Sequence, residues 1–202
     1  TKDSSLTAAT GMDVLTHAIE AYVSIAATPL TDVQAKNALS LVATYLRPSV
    51  ASKTNEEAKE AMAMASLQAG LAFSNAILGA AHALSHAIGG RFPLPHGEIN
   101  AILLPYVMDF NFIAAPKRFI DMADCMGIDT RAFSQKEAGN AAIQYVRELS
   151  ADIGIPKQLR EVGISQDMIT SICQTALEDA CMITNPRDMN LEQMKQLLHK
   201  VL

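Results

Sequence analysis

Residues 61 to 90 form a stretch of thirty positions that contains no Asp, Glu, Lys or Arg. An apolar stretch of this length could cross a membrane. This one is rich in Ala and holds several uncharged polar residues, among them Ser66, Gln68, Ser74, Asn75 and Ser85. Such a composition is typical of a helix enclosed by other helices. We therefore expect a buried helix in a helical domain, and no membrane partner.

The remaining chain also has helical patterns. From the apolar spacing and the capping residues, α-helices or helical turns are predicted near residues 10–24, 31–46, 55–78, 81–89, 98–112, 116–126, 134–153, 158–162, 165–181 and 190–202. Thr7 or Thr10 is expected to cap the first, Pro48 to weaken the end of the second, and Pro105 to interrupt the fifth. The sequence shows no alternating strand pattern and no Gly-rich phosphate loop. It predicts an all-α fold of about eight to ten helices in one domain, 1–202.

Composition narrows the choice of partners and compartment. Half of the residues are hydrophobic, which predicts a well-filled core, and the net charge of −5 argues against nucleic acid and anionic membranes as partners. The three cysteines, Cys125, Cys173 and Cys181, have no CxxC spacing and are expected to be free thiols. With a polar amino terminus and no apolar signal segment, these thiols indicate a cytoplasmic protein.

The histidines concentrate in one part of the sequence. His82, His86 and His96 lie within seventeen residues, and His82 and His86 are four apart, so they share one face of a helix. Gly89-Gly90 is a plausible helix stop, after which two prolines could return the chain so that His96 faces the same space. Asp13 and His17 are likewise four apart on the first predicted helix.

One carboxylate and three imidazoles, from Asp13, His17, His82 and His96, can form a metal site. This donor set suits Fe(II) or Zn(II) rather than Ca²⁺ or Mg²⁺, which prefer oxygen ligands. Such an ion could act as a Lewis acid on an alcohol or carbonyl oxygen. The spacing does not decide whether His86 is a fifth ligand or a proton relay. His199 is expected on the surface, and Glu20 is expected to point outward.

Two blocks of the sequence resemble the iron-containing, or group III, alcohol dehydrogenases. The first is Leu6–Tyr22, LTAATGMDVLTHAIEAY, and the second runs from His82 to Asn111. The second block carries the motif residues His86, Gly89-Gly90, Pro95-His96-Gly97, Asn100 and Leu104-Pro105. Asn185-Pro186-Arg187 resembles the carboxy-terminal region of that family more loosely, so the resemblance covers essentially the whole chain.

The resemblance implies roles for individual residues. Matched by motif, Asp13, His17, His82 and His96 are the metal ligands, and His86 lies near the substrate and the nicotinamide, as a proton relay or cofactor contact. The implied reaction is the NAD- or NADP-dependent interconversion of a primary alcohol and an aldehyde. Members of this family resemble two-domain proteins, and this chain begins just before the first metal motif. We therefore expect the nucleotide-binding domain to be absent, and the chain alone to have little or no activity.

Three functional hypotheses follow. The first is the metal-binding catalytic domain of an Fe(II)-dependent alcohol dehydrogenase, acting on a small alcohol or aldehyde. The second is a zinc-dependent polyol enzyme that resembles glycerol dehydrogenase. That resemblance implies a metal site with one Asp and two His as protein ligands. The third is a helical metal-binding module without chemistry of its own. The resemblance also implies a homo-oligomer, a dimer or larger.

Overall fold

The structure is a computed structural model, and it describes residues 3–202. Within this range the chain forms nine α-helices and no strand, so the all-α prediction is confirmed. The helices are α1 Ser4–Val23, α2 Pro29–Ala51, α3 Glu56–Ala76, α4 Ala80–Gly89, α5 His96–Asn111, α6 Pro116–Cys125, α7 Gln135–Asp152, α8 Ile169–Leu177 and α9 Leu191–Val201. Four short 3₁₀ turns lie at Phe112–Ala114, Leu159–Val162, Gln166–Met168 and Ala180–Thr184.

The first helix begins earlier than predicted. Asp3 caps α1 by accepting a hydrogen bond from the backbone N–H of Ser4. Thr7 and Thr10 are not caps, because their hydroxyls donate to carbonyls one turn earlier, as Thr residues inside a helix do. Asp13 therefore lies in the middle of α1, where its carboxylate is not needed to cap the helix.

Two prolines are accommodated inside helices. α2 continues through Pro48 to Ala51, and α5 continues through Pro105, so the predicted early end and the predicted interruption are both wrong. A proline removes one backbone N–H bond from a helix. α2 packs along α1 and α3, and α5 packs along α1, α4 and α7. These contacts keep both helices continuous across the missing bond.

The uncharged stretch forms two helices that bend sharply. α3 ends at Ala76, and α4 leaves the break at an angle of 100° to α3. Ile77 in this break has φ +61° and ψ −164°. The predicted break near Gly79 is confirmed, but α3 is buried on one face only, since Met64, Leu67 and Leu71 are about half exposed. Among the described residues no single helix is long and apolar enough to span a membrane, and α3 and α4 pass that test only as one bent pair.

The segment predicted as one helix from 165 to 181 is divided. α8 ends at Leu177, and a 3₁₀ turn follows at Ala180–Thr184. The side chain of Asp179 accepts a hydrogen bond from the backbone N–H of Cys181 and so caps the turn. This local bond competes with continuation of the helix. It also fixes the position of Asp179 beside α4.

The core is formed around α1, which packs against α2, α3 and α5. The fully buried residues of α3 are all alanines: Ala58, Ala65, Ala69, Ala72 and Ala76. Small side chains let neighbouring helix backbones approach closely, and the larger Met12, Leu15 and Ile19 of α1 fill the remaining space. α4 is held between α5 and α8. The helices that carry the predicted metal ligands, α1, α4 and α5, therefore meet in one region.

Candidate metal centre

Three polar side chains share one face of α1. Asp13, His17 and Glu20 follow each other at intervals of four and three residues, which is the spacing of one helix face. Asp13 and His17 are 23% and 18% exposed, whereas Glu20 is 2% exposed. The prediction that Glu20 points outward is therefore wrong.

α4 and α5 bring two further imidazoles to this face. His82 lies in the first turn of α4, and His96 is the first residue of α5. His82 is buried, at 1% exposed, and the side chain of His96 is 41% exposed. The rings of His82 and His96 lie close together, with their centroids 5.4 Å apart.

Asp13, His82 and His96 converge on one point. Nε2 of His82 and Nε2 of His96 each lie 3.7 Å from Oδ1 of Asp13. Ligand atoms of the three residues all lie within 4.8 Å of one another. A carboxylate oxygen and two imidazole nitrogens at this separation form a donor set that suits a borderline divalent ion.

Asn100 lies at the centre of this group. Its amide nitrogen is 2.8 Å from Oδ1 of Asp13, 3.1 Å from Nε2 of His82 and 3.0 Å from Nε2 of His96. An amide nitrogen has two hydrogens and so cannot satisfy three acceptors. Oδ1 of Asn100 is buried and has no hydrogen-bond partner. The centre therefore has more acceptor capacity than the protein satisfies, and a divalent cation fits this arrangement.

His17 is adjacent to the converging group but is not part of it. Its Nδ1 lies 3.9 Å from Oδ2 of Asp13. Its ring is stacked between Phe73 and His82, with centroid distances of 4.5 and 4.6 Å. This stacking holds the ring face, rather than a nitrogen, against His82. Asp13 and His17 also line a cavity of about 590 Å³ between α1 and α3.

Burial favours the neutral form of two of the histidines. It lowers the pKa of His17 from 6.5 to about 4, although the Asp13 carboxylate acts in the opposite direction. Burial also lowers the pKa of His96, again against the effect of Asp13. Nδ1 of His96 lies 3.0 Å from the Ser85 hydroxyl. A neutral imidazole keeps a lone pair, which metal ligation requires.

Glu20 connects α1 to the start of α4. Its carboxylate lies 2.6 Å from Nδ1 of His82 and accepts hydrogen bonds from the backbone N–H groups of Gly79 and Ala81. A β-carbon on Gly79 would lie 3.0 Å from Oε1 of Glu20 and 2.9 Å from Oδ1 of Asn185. Gly79 therefore leaves the space in which the carboxylate reaches the helix end.

His86 forms a second group at the edge of the centre. Its side chain is 45% exposed, and Nδ1 lies 2.8 Å from Oδ2 of Asp179. Its ring stacks on His96 with a centroid distance of 5.4 Å. Burial raises the pKa of Asp179, but hydrogen bonds from the Cys181 backbone and from His86 outweigh this, and the net shift is downward. Burial and the Asp179 carboxylate raise the pKa of the Cys181 thiol to about 12.

The sequence model described as "Fe-containing alcohol dehydrogenase family, C-terminal" matches residues 7–202. The chain belongs to this family. Two relatives of the chain are 1,3-propanediol dehydrogenase from Citrobacter freundii, 46% identical over 98% of the chain, and lactaldehyde reductase from Escherichia coli K12, 43% identical over 96%. The crystal structure of a 1,3-propanediol oxidoreductase matches all of the chain, with a TM-score of 0.98 and 44% identity. The predicted family and helical fold are thus confirmed.

The chain spans about half the length of these relatives. It covers 51% of the propanediol dehydrogenase, 50% of the lactaldehyde reductase and 53% of the oxidoreductase structure. The region matched by the family model is the C-terminal one. The all-helical fold therefore corresponds to one part of the architecture of the family.

The sequence did not predict the contacts that Glu20, Asn100 and Asp179 make with residues of the candidate centre and with His86. Helical spacing could have found two of them, since Glu20 is three residues after His17 and Asn100 is four after His96. Asp179 gave no such signal. It is 93 residues from His86, and only the packing of α4 against α8 and the following turn brings the two side chains together.

Proposed function

We propose that this chain is the metal-binding part of an NAD(P)-dependent alcohol dehydrogenase that interconverts a small primary alcohol and its aldehyde. The observation that carries the proposal is the convergence of Asp13 Oδ1, His82 Nε2 and His96 Nε2 within 4.8 Å. Family membership supports it, because the relatives are named as dehydrogenases or reductases of propanediol, lactaldehyde and methanol.

Asp13, His82 and His96 would hold the ion, with His17 as the fourth ligand. The stacked ring of His17 needs to turn so that a nitrogen, rather than its face, is directed at the other three. A bound divalent ion would supply Lewis acidity toward the substrate oxygen, and NAD(P) would supply the hydride acceptor. We favour Fe(II) because four candidate ligands are present. The zinc site implied by a resemblance to glycerol dehydrogenase has only one Asp and two His as protein ligands.

His86 is proposed to move the proton of the substrate hydroxyl. Its ring stacks on His96 and is nearly half exposed, so it can exchange a proton with solvent. The Asp179 carboxylate lies 2.8 Å from Nδ1 of His86 and so orients the ring. The same exposure lets His86 contact the nicotinamide in a protein that also carries the nucleotide-binding half.

Metal analysis of protein purified without oxygen tests the site. The chain is expected to hold one equivalent of Fe(II) or Zn(II), and His82→Ala and His96→Ala to lose it. His199→Ala is the matched control, because His199 is exposed on α9 and has no place in the centre. Retention of stoichiometric metal by both variants would contradict the proposal, as would loss by the control.

Anomalous diffraction at the iron and zinc edges separates the two metals and identifies the side chains that contact the ion. An ion in contact with only Asp13 and two histidines would support the zinc alternative. In a protein with the nucleotide-binding half, His86→Ala is expected to keep the metal and to lose most of its turnover. Full metal occupancy without any alcohol oxidation in that complete protein would favour a module without chemistry.

A further inference from the structure

Glu20 is a fully buried carboxylate whose two oxygens both accept hydrogen bonds. Oε1 accepts from the backbone N–H of Ala81 at 2.7 Å, and Oε2 accepts from that of Gly79 at 3.0 Å. Oε2 also lies 2.6 Å from Nδ1 of His82. Buried carboxylates are costly unless paired and hydrogen-bonded, and this one is satisfied entirely by the first turn of α4.

These contacts decide which ring nitrogen of His82 carries the hydrogen. Both Glu20 oxygens accept hydrogen bonds from backbone N–H groups, so we assign them as acceptors in the short contact as well, with the hydrogen on Nδ1 of His82. Nε2 is then left with a lone pair. The other side of the ring agrees, because the Asn100 amide nitrogen, a donor, lies 3.1 Å from Nε2. Two separate contacts therefore indicate the same tautomer.

We propose that Glu20 is a positioning residue for the metal centre, which fixes His82 as the Nδ1–H tautomer and directs its Nε2 lone pair at Asp13 and His96. The metal-binding part of this inference rests on the proposed function, but the tautomer of His82 is a property of the chain alone. A carboxylate on the far nitrogen orients the ring and increases its basicity as a ligand. Glu20 lies on α1, so the same helix supplies Asp13 and the group that orients its partner imidazole.

Glu20 also has a structural role, which the experiment must distinguish from its effect on the His82 ring. It caps the exposed N–H groups at the start of α4, and Asn185 shares that task by accepting a hydrogen bond from the backbone N–H of Ala80 at 3.2 Å. Asn185 is buried and bonds Asn111, but makes no hydrogen bond to His82. Asn185→Ala therefore removes a cap from the same helix end and leaves the imidazole contact in place.

The experiment compares Glu20→Gln with Asn185→Ala in the 202-residue chain. Fe(II) and Zn²⁺ affinities are measured without oxygen against a competing chelator, and helix content and the unfolding midpoint are recorded for both variants. Glu20→Gln is expected to bind metal about 10- to 100-fold more weakly. Asn185→Ala is expected to keep its affinity within about threefold, because loss of a cap changes stability and not the imidazole. Equal losses in the two variants would show that Glu20 acts only through helix packing.

Nitrogen NMR of ¹⁵N-histidine-labelled protein tests the tautomer without any metal. His82 of the unsubstituted chain is expected to carry its hydrogen on Nδ1, and Glu20→Gln is expected to give a mixture of tautomers. An Nε2–H tautomer in the unsubstituted chain would overturn the inference even if Glu20→Gln fails to fold. The chain could instead bind no metal while His82 is the Nδ1–H tautomer. In that case the proposed function fails, but Glu20 still determines the tautomer of His82.

Discussion

Gly97 packs directly against the backbone carbonyl of Ala9, so that a β-carbon on Gly97 would overlap this oxygen and lie 3.0 Å from Cβ of Asp13. Gly97 follows His96 at the start of α5, and Ala9 lies one turn before Asp13 on α1. The absence of a side chain therefore sets how closely α5 approaches α1. Through this contact the backbone determines the separation of a carboxylate and an imidazole of the candidate centre.

Gly97→Ala is expected to force α5 away from α1. The chain should lose about 1–3 kcal/mol of unfolding free energy, as overpacked cores do, and should bind metal more weakly because His96 moves from Asp13. Gly70→Ala is the control, since Gly70 lies in α3 with open space around its β-position. There alanine should stabilise the helix by about 0.5–1 kcal/mol. Denaturant unfolding and metal titration of both variants measure these effects, and unchanged metal affinity in Gly97→Ala would contradict the argument.

Asn100→Asp should make the fold dependent on metal. The substitution exchanges the amide, which donates to Asp13, for a carboxylate that adds another acceptor beside it. Without metal, the variant should lose about 1–3 kcal/mol through the unpaired buried groups. Bound metal should restore much of this loss. Unfolding followed with chelator and with added Zn²⁺ tests the difference, and equal responses of the variant and the unsubstituted chain to metal would rule it out.

The partly buried His17 should make metal-free stability depend on pH. Its pKa is about 4 in the folded chain and 6.5 when exposed, so between these values the unfolded chain binds more protons. The free energy of unfolding should therefore fall as the pH is lowered from about 6.5 toward 4, by up to roughly 3 kcal/mol, and should stay level above that range. His17→Gln should have a shallower dependence, measured by denaturant unfolding with chelator present. An identical slope in this variant would exclude His17 as the source.

The Ile77→Gly variant should be more stable than the Ile77→Ala variant. Its φ of +61° with ψ −164° is a backbone region that residues with a β-carbon avoid, at a cost of about 1–3 kcal/mol. Ile77→Ala keeps the β-carbon and the strain, while Ile77→Gly loses both. Both variants lose the same half-exposed apolar atoms beyond the β-carbon of Ile77. Thermal unfolding should rank glycine above alanine, the reverse of the usual order, and the usual order would show that this conformation is not strained.

Helix positions could be predicted where local signals act alone. The helices predicted at 134–153 and 190–202 agree closely with α7 and α9. Ser134 and Asn190 cap these helices, and each capping side chain and its backbone partner are only three residues apart. The ends of α2 and the continuity of α5 could not be predicted in this way. A proline weakens a helix locally, but the packing of that helix on its neighbours decides whether it ends.

The sequence alone determined the family and the all-α fold. Asp13 and His17 are four residues apart, as are His82 and His86, so helix geometry places each pair on one helix face. Only the tertiary structure decided that Glu20 faces His82, that Asn100 lies among three acceptors, and that Asp179 reaches His86 across 93 residues. The physical reason is range: periodicity assigns a residue to a helix face, but the side chain that it meets depends on how closely distant helices pack.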